Sequence, residues 1–258
     1  MTAAVAVTAA ATAAAPILEI RGVHKVFGAL KALDGVDMQV RAGEFHGLIG
    51  PNGSGKSTLM KAIAGEHLPT SGTVTFKGGD ITRATPSERS RAGMSIKFQI
   101  TSVLPGLTVY DNVLLATQAR EGIGSLLRSS SRRRLHGKVW AALEQFRMLH
   151  RADDVASSLS HGEQQWLEIA MAMATGPDLL LLDEPTAGMS IEERRITGEL
   201  LEPIRGRCAV VIVEHDLDFI REICDVLTVL DQGAVLNSGT IETIQNCEKV
   251  RQVYVRRT

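Results

Sequence analysis

A glycine-rich loop carries the most specific chemical pattern in the sequence. Residues 50–57 read Gly-Pro-Asn-Gly-Ser-Gly-Lys-Ser and match G-x-x-x-x-G-K-[ST] at every fixed position. Glycines let backbone N–H groups close around phosphate oxygens, and the start of a following helix adds its positive dipole end. We expect Lys56 to reach the β- and γ-phosphates of a nucleotide and the Ser57 hydroxyl to ligate Mg²⁺. The alternative, an ordinary glycine-rich turn before a helix, does not explain the complete match.

Two acids follow a short apolar run further along the chain. Leu179–Leu182 is continuously apolar, and Asp183 and Glu184 come directly after it. A buried strand would deliver both carboxylates to the carboxyl edge of a sheet, where open α/β folds bind ligands. We expect Asp183 to hold Mg²⁺, directly or through water, and Glu184 to orient and deprotonate an attacking water. Two solvated acids that cap a strand are the alternative, which the upstream phosphate loop disfavours.

A third stretch, residues 159–165, reads Leu-Ser-His-Gly-Glu-Gln-Gln and precedes a helix. Ser160 and Glu163 have the spacing of a capping box, and apolar residues at helical spacing follow from Trp166 to Met173. A capped amphipathic helix would explain this stretch completely. A capped helix start beside a glycine is also an anion site, so both interpretations can hold for the same residues.

The elements that must position these residues follow from hydrophobic periodicity. Continuous apolar strands are predicted at Phe45–Ile49, Leu179–Leu182 and Ala209–Val213, with helices after the first two. This alternation predicts an α/β fold with a parallel sheet covered on both faces. Half-buried strands with alternating polarity are predicted at Ile17–Ile20, Val36–Val40 and Thr73–Phe76, and Val226–Leu230 with Ala234–Ser238 predicts a closing hairpin.

The middle of the chain differs from this pattern. Helices are predicted at Thr108–Gln118 and Lys138–Leu149, separated by a stretch rich in Gly, Ser and Arg at Gly122–Arg134. We therefore expect a helical insert over residues 100–162. The basic run Arg132–Arg134 is interpreted as part of a solvated linker; a contact with nucleic acid or lipid headgroups is the alternative.

Composition limits the functions that remain. The 258 residues contain 28 Lys plus Arg and 29 Asp plus Glu, for a formal net charge of -1. This near-neutral balance gives no support for a nucleic-acid partner. Three scattered cysteines fit neither a zinc site nor a disulfide framework and favour a reducing compartment. No apolar run approaches the ~18 residues that span a bilayer. Residues 1–15, mostly Ala, Thr and Val, are expected to be a disordered tail, with a helical extension as the alternative.

The phosphate loop, the Leu-Ser-x-Gly-Glu stretch and the Leu-Leu-Leu-Leu-Asp-Glu strand occur in an order that resembles ATP-binding cassette (ABC) ATPases. The resemblance covers roughly residues 17–258. It implies a RecA-like P-loop ATPase core with an antiparallel β subdomain and a helical insert, binding ATP and Mg²⁺. By the domain boundaries that we predict, residues 16–258 form this ATPase domain.

The resemblance also implies roles that spacing alone does not indicate. Phe27 is similar to the aromatic residue that stacks on adenine. Gln99 looks like the glutamine that senses Mg²⁺ and contacts the transmembrane subunit, and His215 looks like the switch histidine that faces the γ-phosphate. The implied catalytic set is therefore Glu184, His215 and Gln99, and the metal set is Ser57, Gln99 and Asp183. The implied nucleotide-binding set comprises Phe27, Gly50, Pro51, Asn52, Gly53, Ser54, Gly55, Lys56, Ser57, Thr58, Ser160 and Gly162.

In this family the active site is shared between two cassettes. The resemblance implies that Ser160 and Gly162 cover the nucleotide of a partner cassette, either a copy of this chain or a sibling. Two departures from the family pattern stand out. Ser190 replaces a common acidic residue after the acid pair, at a position that usually makes contacts across the dimer. His161 replaces a common glycine in the signature stretch.

The residues Ala187–Met189, Val213–Asp216 and Val253–Val255 resemble the branch of importers for branched-chain amino acids, urea and short amides. We therefore expect an ATP-hydrolysing importer subunit, peripheral on the cytoplasmic face of the plasma membrane. Its partners would be transmembrane permease subunits and, indirectly, a solute-binding protein. The alternatives are an export-type or lipopolysaccharide-extracting cassette, or a non-transport ABC ATPase; the latter class usually shows paired cassettes or long coiled-coil inserts.

Overall fold

Two β-sheets and the helices around them make up the described part of the chain. The computed structural model describes residues 15–97, 103–118 and 131–255, without the side chains of residues 131–132 and 253–255. The predicted tail, apart from residue 15, lies outside the described residues. So do Gln99 and most of the stretch between Gly122 and Arg134.

The strands are β1 (Leu18–Phe27), β2 (Leu30–Val40), β3 (Phe45–Ile49), β4 (Ser71–Phe76), β5 (Gly79–Asp80), β6 (Met94–Lys97), β7 (Leu179–Asp183), β8 (Ala209–Val213), β9 (Val226–Asp231) and β10 (Ala234–Thr240). The α-helices are α1 (Lys56–Ala64), α2 (Pro86–Ala92), α3 (Val109–Gln118), α4 (Ser131–Gln145), α5 (His161–Ala174), α6 (Ile191–Leu201), α7 (Leu217–Ile223), α8 (Ile241–Gln245) and α9 (Glu248–Val255). Single-turn 3-10 helices lie at Leu149–Arg151, Ala156–Ser158 and Glu202–Ile204.

The larger sheet has six strands in the order β10-β9-β3-β8-β7-β6. Its pairs from β9 to β6 are parallel, and β10 joins the edge antiparallel to β9. The smaller sheet has the order β2-β1-β4-β5 and is antiparallel throughout. This architecture confirms the predicted α/β class with an antiparallel β subdomain. It also brings the ends of β3, β7 and β8 to one edge of the larger sheet.

The larger sheet is buried on both faces because its strands alternate between two hydrophobic cores. In β7, Leu179 and Leu181 pack in the core shared with α1 and the antiparallel sheet. Leu180 and Leu182 pack in the core shared with the helices on the other face. This arrangement explains why β7 is continuously apolar in sequence and why its first polar residue, Asp183, comes at its end.

Three helices pack together beside the sheet. Val113 of α3, Val139 of α4 and Leu167 of α5 belong to one buried core. Helix α5 begins at His161 and packs against α3, α4 and β6. The boundary predicted near residue 162 therefore falls on a helix that both parts share, and the limits of the helical insert stay a prediction.

Helix α4 differs from its prediction at both ends. It begins at Ser131, so Arg133 and Arg134 lie in its first turns and do not form a linker. It ends at Gln145 because Arg147 adopts a left-handed conformation with φ 55°. The Met148 amide then donates to the Leu143 carbonyl at 2.7 Å, a bond typical of helix ends. The predicted continuation of the helix to residue 149 is wrong.

Candidate nucleotide site

The phosphate loop connects β3 to α1, as predicted. Gly50 adopts φ 150°, and a side chain there would collide with the Leu230 carbonyl of β9. Gly55 precedes α1 with φ 104°, and a Cβ atom would lie 2.7 Å from the Ala32 carbonyl oxygen. Both positions need glycine because the loop is tightly enclosed and its backbone is left-handed. The glycines of the motif therefore set the path of the backbone.

Lys56 begins α1 and is 6% exposed. Its ammonium donates to the carbonyl oxygens of Gly50 at 2.7 Å and Pro51 at 3.1 Å. Burial lowers the pKa of Lys56, and the carboxylates of Glu184 and Asp183 oppose that shift. The lysine is thus held over the loop, with the acid pair close enough to act on its charge.

A cavity of about 590 Å³ opens beside the loop. Residues 52–58 line one part of it, and Glu184 and His215 line another. Leu30, Lys31, Ala32 and Gln232 complete its walls. Its volume lies within the range of small-molecule sites, roughly 300–1,000 Å³. The structure therefore brings together predicted phosphate-binding and catalytic residues that lie far apart in sequence.

Asp183 ends β7 and is 4% exposed. Burial and the neighbouring Glu184 raise the pKa of Asp183, and Lys97, Lys61 and Lys56 act against that shift. Its Oδ1 atom is buried and accepts no hydrogen bond from the described residues. A buried carboxylate oxygen without a donor suits a bound cation, so the site fits Mg²⁺ with Asp183 as a ligand.

Glu184 has a left-handed backbone with φ 48°, which is unusual for a residue other than glycine. Its amide donates to the Val213 carbonyl of β8 at 2.8 Å. Its Oε1 atom lies 3.2 Å from Nε2 of His215. Strained backbone of this kind persists where surrounding contacts enforce it. Here it turns the carboxylate toward the cavity and His215.

Sequence reasoning missed Glu214, which is 5% exposed at the end of β8. Its Oε1 accepts from the Thr186 amide at 2.8 Å and from the Thr186 hydroxyl at 2.6 Å. Its Oε2 accepts from the amide of His215 at 3.0 Å. Glu214 thus joins the loop after Glu184 to the loop that carries His215. The signal in the sequence is an acid directly after a buried strand, the same signal that identified Asp183.

The signature stretch forms the expected capped helix. The hydroxyl of Ser160 accepts from the Glu163 amide at 3.2 Å, and the Glu163 carboxylate accepts from the Ser160 amide at 2.8 Å. Gly162 is buried at the first turn of α5, where a Cβ atom would collide with the Glu193 carboxylate. Neither Ser160 nor Gly162 lines the cavity beside Lys56. Their predicted contact with a nucleotide of a partner cassette stays a prediction.

Comparison with known proteins decides the family. A family model described as ABC transporter matches residues 33–187. The chain is 34% identical over 251 residues to LivG, the high-affinity branched-chain amino acid transport ATP-binding protein of Salmonella typhimurium and of Escherichia coli. The matches cover 93% of this chain and 98% of each relative. This chain belongs to the ABC transporter family. It is an ATPase subunit of such a transporter.

A second kind of relative is the ribose import ATP-binding protein RbsA of Rhodococcus jostii, 32% identical over 247 residues. That match covers 94% of this cassette and 48% of RbsA. Among solved structures, the ADP conformation of the cassette MJ1267 superimposes with a TM-score of 0.83 at 31% identity, covering 93% of this chain and 98% of MJ1267. A dimeric post-hydrolysis state of the cassette MJ0796, bound to ADP and Pi, superimposes with a TM-score of 0.74 at 26% identity. The match covers 87% of this chain and 98% of MJ0796. The cassette fold is thus confirmed.

The two departures from the family pattern have structural roles in this cassette. Ser190 caps α6: its hydroxyl accepts from the Glu193 amide at 3.2 Å, in a second capping box. Serine and aspartate are equally good at this position, so the cap does not depend on the lost acid. The ring of His161 bonds through Nε2 to the Ala187 carbonyl at 2.9 Å. This hydrogen bond links the start of α5 to the loop before α6.

Phe27 lies at the end of β1 and is 41% exposed. Its ring packs edge-on against His67, with centroids 5.3 Å apart, and the Lys25 ammonium lies 4.8 Å from its centroid. Phe27 is not among the residues that line the cavity, so its stacking on adenine stays a prediction.

In the parts of the chain that the structure describes, no helix is long and apolar enough to cross a membrane.

Proposed function

We propose that this cassette drives an importer for branched-chain amino acids, urea or short amides. The observation that carries the proposal is the likeness to LivG along 98% of the length of that protein. The RbsA relative is also named for import, which supports the direction of transport. The proposed partners are transmembrane permease subunits on the cytoplasmic face of the plasma membrane. A solute-binding protein would act indirectly, through the permease.

The proposed catalytic roles follow from the geometry of the cavity. The loop amides of residues 52–58 donate to phosphate oxygens, and the Lys56 ammonium moves from its carbonyl partners to the β- and γ-phosphates. Ser57, Asp183 and Gln99 would hold Mg²⁺, which offsets phosphate charge when bound. Glu184 accepts a proton from the water that attacks the γ-phosphorus, while the bond to the leaving ADP oxygen breaks.

His215 and Glu214 arrange this chemistry. The contact of His215 with Glu184 orients the carboxylate, and the ring faces the cavity where the γ-phosphate would lie. Glu214 fixes the His215 backbone against the loop after Glu184. We further propose that Ser160 and Gly162 act on the nucleotide of a second cassette in a sandwich dimer. The related cassette MJ0796 is dimeric in a post-hydrolysis state bound to ADP and Pi, which supports the formation of a dimer.

Uptake measurements in the native host test the proposal. Three classes of labelled solute are tested: the branched-chain amino acids leucine, isoleucine and valine; urea; and the short amide acetamide. Deleting the gene should abolish high-affinity uptake of one of these classes. The wild-type gene should restore uptake, and a Lys56→Ala gene should not, although the protein accumulates equally. Uptake of all these solutes at the wild-type rate in the deletion strain would contradict the proposed function as an importer of these solutes. Loss of an exported lipid or polysaccharide instead would indicate an export-type cassette.

A further inference from the structure

A second cavity lies between the larger sheet and the last three helices. Its volume is about 320 Å³, and it shares no lining residue with the cavity beside Lys56. Voids larger than a water molecule are few in protein interiors, because side chains there are closely packed. The volume lies at the lower end of the range for small-molecule sites, roughly 300–1,000 Å³. The size of this cavity therefore suits a small bound molecule.

Aliphatic side chains from five elements form most of the cavity wall. Ile49 at the end of β3 and Leu227 of β9 line it from the sheet. Ile220 of α7, Ile244 of α8 and Val250 of α9 line it from the helices. All five residues are buried and belong to one hydrophobic core. An apolar cavity stays free of water and can take up an apolar group of matching size.

The polar part of the lining carries positive charge. It consists of Arg221, Gln245 and Arg251, and none of the described residues that line the cavity is an aspartate or a glutamate. Arg221 donates to the exposed carboxylate of Asp218 at 3.2 Å. Nε of Arg251 donates to the Gln245 carbonyl at 2.8 Å, and its Nη atoms donate to no described residue. The Arg251 guanidinium is therefore held beside the cavity with donors to spare, which favours an anionic ligand.

We propose that this cavity binds a small aliphatic monocarboxylate, with the carbon chain against the aliphatic wall and the carboxylate on Arg251. Arginine matches a carboxylate because its planar guanidinium can donate two parallel hydrogen bonds. An amino acid fits less well, because no carboxylate lines the cavity to pair with its ammonium group. The ligand is therefore neither a nucleotide nor an amino acid, and the site is separate from the one that binds phosphate.

Isoleucine methyl NMR on the full chain reports binding at this cavity, because several isoleucines line it: Ile49, Ile220, Ile241 and Ile244. Isocaproate is the probe, and it should shift these methyl resonances in a saturable way. The methyl resonances of Ile20 and Ile63, which belong to the other core, should stay unchanged. Isocaproamide lacks the charge and leucine adds an ammonium group to the same skeleton, so each should bind about tenfold more weakly or worse.

Variants separate the roles of charge and space. Arg251→Ala should weaken isocaproate binding by about tenfold or more. Lys249→Ala is the matched control, because Lys249 is an exposed cation of the same helix that does not line the cavity; affinity should change by less than about twofold. Ile241→Phe should fill part of the cavity and abolish the shifts of the remaining isoleucines. Arg251 is exposed, so Arg251→Ala keeps the test valid if Ile241→Phe does not fold.

Absence of saturable shifts with isocaproate would overturn the proposal. Equal affinity for isocaproamide or for leucine would overturn the ligand class, because the cavity would then not select a carboxylate without an ammonium group. Unchanged affinity in Arg251→Ala would remove the proposed anion partner. Lys56→Ala should bind isocaproate like wild type. Loss of binding in that variant would instead place the carboxylate at the phosphate loop, which Ile49 directly precedes.

Discussion

Nε2 of His215 lies 3.2 Å from Oε1 of Glu184, although the two residues are on different strand ends. The contact spans 31 residues of sequence. It depends on the parallel pairing of β7 with β8, which places Asp183 opposite Val213. The acid and the imidazole therefore reach the same cavity wall because two buried strands end in register.

Replacing Glu184 with glutamine should preserve ATP binding and nearly abolish turnover. The amide keeps the size of the side chain and its contact with His215, but it cannot accept a proton from water. Loss of a general base costs on the order of 10²–10⁴ in rate. Steady-state phosphate release by the assembled transporter measures the effect. Hydrolysis within a few-fold of wild type would show that Glu184 is not the base.

Lys56→Ala should weaken Mg-ATP affinity and stop hydrolysis, because Lys56 is the buried cation that begins α1 beside the loop. Lys31→Ala is the matched control. Lys31 lines the same cavity but is exposed and paired with Asp34 at 3.1 Å, so its loss should change affinity little. Isothermal calorimetry compares the two variants. Unchanged affinity and intact turnover in Lys56→Ala would exclude the phosphate-binding role.

Glu214→Gln should lower kcat by about tenfold and leave KM nearly unchanged, because it disturbs the loop that carries His215 without touching nucleotide. Glutamine offers one carbonyl oxygen, so the bond to Thr186 or to the His215 amide is lost. An unsatisfied buried donor costs about 1–3 kcal/mol of unfolding free energy. Thr186→Ser, which keeps the hydroxyl, is the control. An unchanged kcat in Glu214→Gln would limit this residue to a structural role.

Arg89→Met should destabilise the cassette by about 3 kcal/mol or more, since several buried acceptors lose their donor at once. Arg89 is fully buried. Its guanidinium donates to the carbonyls of Ala62 and Ile63 at the end of α1, at 2.8 and 2.6 Å, and to three further carbonyls. Chemical denaturation measures the loss. Arg89→Lys keeps the charge but not the planar set of donors, and it should recover only part of the stability.

The sequence alone predicted those parts of the site that are formed by consecutive residues. The phosphate loop is a contiguous motif, and the strands at residues 179–183 and 209–213 are continuously apolar because both of their faces are buried. Strand β6 was not predicted, because it is four residues long, contains Ser95 and Lys97, and lies at the sheet edge. Residues 94–97 form a strand because they pair with β7, and a pattern of neighbouring residues in the sequence carries no information about that pairing.

Roles that depend on contacts between distant residues were missed. Glu214 accepts a hydrogen bond from Thr186, 28 residues away, and Lys97 forms a buried ion pair with Glu168 on another element. Arg89 is another example, because a charged residue in a short helix predicts an exposed side chain. The structure instead places it at the buried end of α1. In each case the tertiary partner, and not the residue type, determines the role.

The signature stretch gives the last prediction, made with Glu184→Gln as parent so that ATP stays uncleaved. Adding Gly162→Asp should leave ATP binding by the monomer nearly intact and abolish ATP-driven dimerisation. In a sandwich dimer the new carboxylate would face the γ-phosphate of the partner cassette. Like charges at about 4 Å in an effective dielectric near 20 cost roughly 4 kcal/mol, which is about a thousandfold in association.

The structure adds a necessary control, because any Cβ atom at Gly162 collides with the Glu193 carboxylate within the same chain. Gly162→Ala introduces that collision without a charge. If charge repulsion across the dimer is the cause, size-exclusion chromatography should show much weaker dimerisation for aspartate than for alanine. Equal losses would assign the effect to displacement of Glu193 and its cap on α6. An ATP-dependent dimer that survives Gly162→Asp would leave Ser160 and Gly162 with only their role at the start of α5.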